Sequence, residues 1–309
     1  MTHEAERPPG PRSPTARFVR FSYRAPLSPA RMLRLLRAPS LRDRVAGRVV
    51  LVTGASSGIG RAAALRLGAA GATVLLVART TAALDAVAAE IAVAGGTAHV
   101  HPCDLRDRDA VDRLAAAILA RHGGVDVLVN NAGHSIRRPI EESLDRLHDF
   151  ERLMRLNYLA PTQLILALLP AMRSRGGGHI VNVSTMAVQT NTSRFSAYIA
   201  SKAALDAFSR CLAVEARADG VRVTTIHPPL VHTPMVAATR AYDGRPGLTA
   251  GEAAGMIAEA ITTKPTRIAP RLGMASEVAR HLAPAVLQAT QSYAYRRSLA
   301  GGAPAPNGA

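Results

Sequence analysis

Tryptophan is missing from this chain of 309 residues, and aromatic residues together make up only 4% of it. A surface that stacks bases in a nucleic-acid groove needs such rings, so their scarcity argues against a nucleic-acid partner. Cysteine is almost as rare. With only Cys103 and Cys211, the chain has no disulfide framework, and a reducing cytoplasmic setting is expected. No apolar run approaches the roughly 18 residues that a membrane span needs. The Met1 end carries Pro and Arg where an export signal would carry an apolar stretch, so export is not expected. Acidic residues are also short, 22 against 38 Lys and Arg, for a formal charge of +16. Hydrophobic residues, by contrast, reach 48%, which excludes a largely disordered chain. The length suits one large domain with ragged ends, or at most two.

The positive charge lies on the flanks. Residues 1–48 hold 11 Arg against 3 acids and residues 264–309 hold 6 basic residues against 1 acid, whereas residues 49–263 set 21 against 18. Two readings stand: a compositional bias in the tails, or attraction to anionic lipid headgroups. Arg31-Met32-Leu33-Arg34-Leu35-Leu36-Arg37 gives a helix with one basic and one apolar face, the pattern of an interfacial helix. That apolar face could equally dock on the protein's own body. Peripheral membrane contact is therefore expected beside a cytoplasmic location only if the charge serves lipid headgroups. Residues 8–14 and 301–309 read as disordered.

Between Arg48 and His227, short apolar strands alternate with longer helical stretches. Strands are predicted at 48–53, 73–77, 98–101, 125–129, 179–183 and 221–226, and helices at 59–70, 82–93, 108–121, 144–172 (bent near Pro161) and 196–218. Continuous Val/Leu/Ile runs mark strands covered on both faces, and helical crossovers require parallel pairing. The expected fold is α/β: a Rossmann-type doubly wound parallel sheet, one domain with a C-terminal helical extension at 273–297 interrupted at Pro284.

Thr53-Gly54-Ala55-Ser56-Ser57-Gly58-Ile59-Gly60 leaves the first strand and opens the first long helix. Gly54 permits a tight turn, Gly58 lets a ligand approach the backbone and Gly60 lets helix and strand pack closely. With Ser56, Ser57 and Ile59, the helix N-terminus then offers N–H groups to a dinucleotide pyrophosphate. The same letters satisfy the G-x-S-x-G nucleophile elbow of serine hydrolases, with Ser56 as nucleophile. Against that reading, the loop follows the first strand, and Gly60 has no task in an elbow. At the end of the second strand, Ala78-Arg79 stands where an NAD-binding fold places an acid, so Arg79 favours the 2′-phosphate of NADP(H). Arg61 reads better as an ordinary exposed helix arginine. Asp104 and Leu105 end the third strand, where an acid can reach the adenine amino group. His99-x-His101-x-Cys103-Asp104 carries no metal assignment, because alternate strand residues point to opposite faces and no four converge.

Asn131-Ala132-Gly133 closes the fourth strand, Asn157 lies in the long helix, Ser184 ends the fifth strand, and Tyr198 and Lys202 share one helix face four residues apart. This ordered set resembles the short-chain dehydrogenases/reductases over about residues 45–270. The resemblance implies that Tyr198 protonates a substrate carbonyl while the Lys202 ammonium makes the phenol more acidic and holds the nicotinamide ribose. It further implies that Ser184 bonds the carbonyl, that Asn157 positions a water beside Lys202, and that Asn131, Ala132 and Gly133 line the cofactor groove. Val231 and Thr233 would meet the carboxamide on a loop where Pro229 replaces the glycine of many relatives, forcing another path.

A narrower resemblance, carried by Asn131–Arg138, His148–Arg152, Arg194–Arg210, Pro229–Met235, Leu248–Ala254 and Lys264–Ile268, is to bacterial fatty acyl-CoA reductases that form aldehydes. It implies NADPH-dependent reduction of a long acyl thioester, with Arg137 and Arg138 either facing CoA phosphates or forming a solvated or intersubunit pair. Reduction of another lipophilic ketone or alcohol, ketoacyl or sterol-like, is the nearest alternative. A serine hydrolase and a non-catalytic NADPH-binding scaffold are the others. The expected organisation is a basic extension over 1–44, a cofactor-binding domain over 45–270 with a substrate lid at 248–263 capped by Thr249 and Glu252, and helices and tail over 271–309. The helices at 144–172 and 196–218 are those that relatives pair, so a homodimer or homotetramer is expected.

Overall fold

In a computed structural model the described residues are 14–237, 239 and 242–300. The disorder expected at 8–14 and 301–309 falls outside them except at Pro14, which opens a helix. Three short helices, α1 (Pro14–Ser22), α2 (Pro29–Arg37) and α3 (Leu41–Val45), lead into β1 (Val49–Thr53). Strand and helix then alternate through α4 (Gly58–Ala69), β2 (Thr73–Ala78), α5 (Thr81–Val93), β3 (Thr97–Pro102), α6 (Arg108–His122) and β4 (Val127–Asn130). Next come α7 (Leu147–Met154), α8 (Ala160–Ser174), β5 (Gly178–Val183), α9 (Ala187–Thr190), α10 (Ser196–Glu215) and β6 (Val221–Ile226). The chain closes with β7 (Val231–His232), α11 (Pro234–Ala237), β8 (Leu248–Thr249), α12 (Ala250–Thr263), β9 (Arg267–Ile268), α13 (Arg271–Leu282) and α14 (Pro284–Ala300).

Seven parallel strands form one sheet in the order β3-β2-β1-β4-β5-β6-β9. The winding reverses between β1 and β4, which opens a crevice at the strand C-termini. Alternation along each strand splits the core. Val50, Val52, Val74 and Leu76 pack with α4, α5 and α12 on one face. Leu51, Leu75 and Val77 pack with α6, α8 and α10 on the other. Both faces are dry, and each buried Leu or Val contributes about 1.5–3 kcal/mol, so the strand ends rest on a stiff base.

The departures from expectation are local. β9 adds a seventh strand beside β6, and β7 pairs with β8 in a separate parallel ribbon. Two residues each are too few to show a period. The long helix is interrupted near Pro161, as expected, and the interruption is a π turn at Arg155–Leu159 that joins α7 to α8. Pro161 has no N–H for the Asn157 carbonyl four residues back, and the helix widens there. The segment 248–263 is not a lid. Thr249 and Glu252 do form the expected capping box, but Ala253, Ala254, Ile257, Ala260 and Ile261 are buried, and α12 packs on α4. Its alanine-rich face fits closely against that helix, so it serves the core. The C-terminal extension is two helices parted before Pro284, as expected.

The N-terminal helices are pinned by their arginines. Arg31 bonds both oxygens of Glu259 on α12 at 2.8 Å, Arg20 reaches Glu252 at 2.5 Å, and Arg271 of α13 lies 4.2 Å over the Phe21 ring. α2 buries none of its residues: Met32, Leu33 and Leu36 are 50%, 48% and 78% exposed. Its apolar face is not covered by this chain's described residues.

Candidate active site

At the crevice, the loop between β1 and α4 turns through Gly54 and Gly58, at φ +66° and +53°. Only glycine takes these angles without strain. Gly60 acts differently: a Cβ there would lie 2.1 Å from the Gly54 carbonyl oxygen, so its bareness closes α4 onto the loop. Ser57 caps α4 without a side-chain hydrogen bond, leaving first-turn N–H groups facing the crevice. A dinucleotide diphosphate fits such a cradle, since the backbone comes close and the helix end favours negative charge.

Thr53 fixes the opposite wall. Its Oγ1 accepts from the Asn131 and Ala132 N–H groups at 3.0 Å, while Asn131 Nδ2 donates to the Thr53 carbonyl at 2.9 Å. Asn131 thus braces β1 to β4. Asn130 Nδ2 donates to Asn182 Oδ1, and Asn182 Nδ2 to Ser209 Oγ, each at 2.8 Å, tying β4 and β5 to α10.

Asn157, fully buried in the π turn, has its amide locked on protein: Oδ1 accepts from His134 N–H, and Nδ2 donates to His134 O and Ser201 Oγ, all at 2.9 Å. The side chain clamps the loop after β4 to α10.

Lys202 Nζ donates to the Val183 carbonyl at 2.8 Å, and burial lowers its pKa to about 8. The Tyr198 phenol is pushed up to about 12 by burial, against a smaller opposing pull from Thr185. In this arrangement the ammonium is committed to the β5 carbonyl, and desolvation governs Tyr198. Ser184 Oγ is buried among the described residues without a hydrogen-bond partner. A hydroxyl left so is poised for a ligand oxygen.

These groups share one cavity of about 1000 Å³. Gly54, Ser56, Ser57, Gly58, Ile59, Arg79, Asp104, Leu105, Asn131, Ala132, Gly133, Val231 and Thr233 line it, together with Ser184, Tyr198 and Lys202. Gly60 and Asn157 lie behind the wall. Arg61 pairs with Glu90 at 2.5 Å on the outer surface. Both Asp104 oxygens are engaged by Arg106 at 2.6–3.1 Å, so this carboxylate is less open to an adenine than expected. Arg138 is spent on an ion pair with buried Asp149, which removes it from any ligand; Arg137 lines the cavity. No residue at 227–235 takes a positive φ. The Pro229 loop instead runs extended into β7, with Leu230 O accepting from Leu248 N at 2.8 Å. Among the described residues, no three or more His, Cys, Asp or Glu are grouped to hold a metal.

Sequence reasoning missed Thr53, Thr185 and the outer wall built from Tyr242 and from Tyr295 of α14. The leading Thr of the Gly-rich loop and the Thr after Ser184 were available as signals. Nothing local marks α14.

Residues 48–243 match the family profile described as short chain dehydrogenase. A fatty acyl-CoA reductase of Acinetobacter baylyi is 50% identical over 79% of this chain and 82% of its own. Another of Mycobacterium tuberculosis is 49% identical over 84% of this chain and 88% of its own. The crystal structure of a metagenomic short-chain oxidoreductase in complex with NADP superposes with a TM-score of 0.64 at 35% identity, covering 74% of this chain and 97% of that one. The likeness thus spans the sheet, the Gly-rich turn and α10, which supports a nicotinamide cofactor in the crevice and leaves no room for the hydrolase reading of Ser56. The chain belongs to the short-chain dehydrogenase/reductase family of oxidoreductases.

Proposed function

We propose that this enzyme reduces long-chain acyl-CoA thioesters to aldehydes with NADPH. The observation that carries the reading is the reach of the cavity, which passes Ser184 and Tyr198 and continues to α14, well beyond the cradle a dinucleotide needs. The near-50% identity to two fatty acyl-CoA reductases supports the same substrate class. Arg79, standing where an acid would take a ribose 2′-hydroxyl, supports NADPH over NADH.

When bound, the reduced nicotinamide supplies the hydride. Gly54, Gly58 and the first turn of α4 hold the diphosphate, and Asn131 keeps the groove wall in place. Ser184 donates its unpartnered O–H to the thioester carbonyl oxygen and stabilises the charge that grows there. Tyr198 delivers its proton to that oxygen, giving a hemithioacetal, which then loses CoA thiol to leave the aldehyde. Lys202, anchored on Val183 O, keeps a cation beside the site. With palmitoyl-CoA as substrate, one free thiol should appear per NADPH oxidised, and NADH should be much poorer. NADPH oxidation with ketones alone, and no thiol released, would favour the alternative of a lipophilic ketone reductase.

Two assembly features belong to this reading. Leu159, Leu166 and Val214 on the helices around α8 and α10 are 44%, 58% and 77% exposed, a face suited to a second copy. Light scattering at micromolar concentration should return a dimer or tetramer, and a monomer would contradict it. No described helix is long and apolar enough to cross a membrane. α2, with Arg34 and Arg37 beside Met32, Leu33 and Leu36, fits an anionic bilayer surface, and Tyr23 just before it lines the cavity mouth. Lipid substrate would enter from that side. Sedimentation with anionic but not zwitterionic vesicles is expected, lost in Leu33→Asp/Leu36→Asp; equal recovery with both vesicle types would rule it out.

A further inference from the structure

Three guanidiniums line the outer half of the cavity. Arg137 follows β4, Arg194 precedes α10 and Arg245 lies between α11 and β8, and all three line the space. Among the described residues none of them enters an ion pair, while neighbouring Arg138, Arg146 and Arg152 all converge on Asp149. The three charges feel one another. Arg137 is half-buried, and its guanidinium lies below the usual range, first through burial and then through Arg194 and Arg245, with Tyr242 and Glu142 pulling the other way. Glu141, the other acid here, accepts from Tyr295 Oη at 3.3 Å.

Arg194 is placed at a cost. It sits at φ +71°, in the left-handed region that non-glycine residues avoid. The turn is held by Arg138 N–H donating to the Arg194 carbonyl at 2.7 Å. It aims the guanidinium across the cavity to α14, 5.5 Å over the Tyr295 ring and 3.1 Å from Ser298 Oγ. Tyr242 stacks on Phe195 at 6.5 Å and influences both Tyr198 and Arg137. Through Tyr242 the cluster therefore adjoins Tyr198, on the substrate side. A set of like charges, Arg137 and Arg194 half-buried and Arg245 exposed, that forms no ion pair among the described residues and is supported by a strained backbone, is the arrangement of a polyanion seat.

We infer that Arg137, Arg194 and Arg245 seat the phosphate groups of the CoA moiety, against α14, while the thioester carbonyl lies at Ser184 and Tyr198. This rests on the acyl-CoA reading and adds the part that distinguishes a CoA thioester from any other lipophilic carbonyl. Free phosphate-bearing cofactor is the other source of such chemistry, and the test separates the two.

Full-length Arg137→Ala, Arg194→Gln and Arg245→Ala would be compared with wild type on decanoyl-CoA and on the decanoyl thioester of N-acetylcysteamine, which has no phosphate. The preference in kcat/KM for the CoA thioester should fall on the order of tenfold per substitution, mainly through KM. Arg137→Lys, which keeps the charge, should recover part of it. Calorimetric titration of free CoA, read without turnover, should weaken in the same variants, and CoA should compete with decanoyl-CoA but not with NADPH. Equal losses on both thioesters, a raised KM for NADPH instead, or unaltered CoA affinity would each overturn the inference. If wild type reduces neither thioester, the acyl-CoA reading fails, while the titration still decides whether the arginines bind CoA.

Discussion

Tyr198→Phe is expected to lower kcat by about 10²–10⁴-fold, the usual worth of a positioned proton donor, or about 3–5 kcal/mol of transition-state stabilisation. Affinity for NADPH should stay within about threefold, because the ring remains and only the hydroxyl is lost. A phenol pushed up to about 12 by burial keeps its proton across the physiological range, the state a donor needs. Lys202 sets the pH response. Burial brings it to about 8, so its ammonium is present below that value and lost above it. The kcat/KM for reduction should hold steady toward neutral pH and decline above about pH 8, and Lys202→Met should remove that decline at a lower overall rate. Stopped-flow rates with a thiol reagent, beside fluorescence titration of NADPH, provide the measurements. If Tyr198→Phe reduced thioesters at the wild-type rate, the proton would have to come from elsewhere, and the proposed chemistry would fall.

The sheet was legible because its strands are dry on both faces. Val49–Thr53 and Val221–Ile226 announce themselves as runs rich in β-branched residues, and the helices between them require parallel pairing. The Gly-rich turn was legible for a steric reason: three glycines at fixed spacing have separate geometric tasks, and Gly60 meets the Gly54 carbonyl as that spacing implies. Harder to read was anything depending on distant partners. The 248–263 segment has an N-cap and an amphipathic pattern, which suit a lid and a core helix alike; only the face of α4 decides between them. Arg137 and Arg138 are adjacent in sequence, yet one faces the cavity and the other is claimed by Asp149. The charge on a residue says nothing about which neighbour will take it. The Tyr198–Lys202 spacing placed both groups on one helix face, but it could not reveal that the Val183 carbonyl holds the ammonium or that burial raises the phenol.

Asp149→Asn should be strongly destabilising although Asp149 lies away from the reacting groups. The Asp149 carboxylate is only 2% exposed. It accepts from Arg146 Nε at 3.1 Å and Arg152 Nη2 at 2.7 Å, and also bonds Arg138. Burial alone would raise its pKa, yet hydrogen bonds from Arg146 and Arg138 outweigh this and leave it below the ordinary 3.8. Asn keeps the shape and removes the charge, so three guanidiniums lose their common acceptor. Breaking a fully buried pair costs about 3–5 kcal/mol. Here the arginines are partly solvated, so about 2–3 kcal/mol is expected after allowing for screening, or a fall in Tm of roughly 4–12 °C. The sign with pH follows from the depressed carboxyl: its contribution is complete above the unfolded value, near 3.8, and is lost as pH falls through the lower folded one. Wild type and variant should thus differ most near neutrality and converge in acid, as urea unfolding at a series of pH values would show. Arg138 also donates its backbone N–H to Arg194, so the same variant should slacken the turn that aims Arg194 and weaken CoA binding. A stability gap that persisted unchanged to pH 3 would mean that Asp149 acts through its shape rather than its charge.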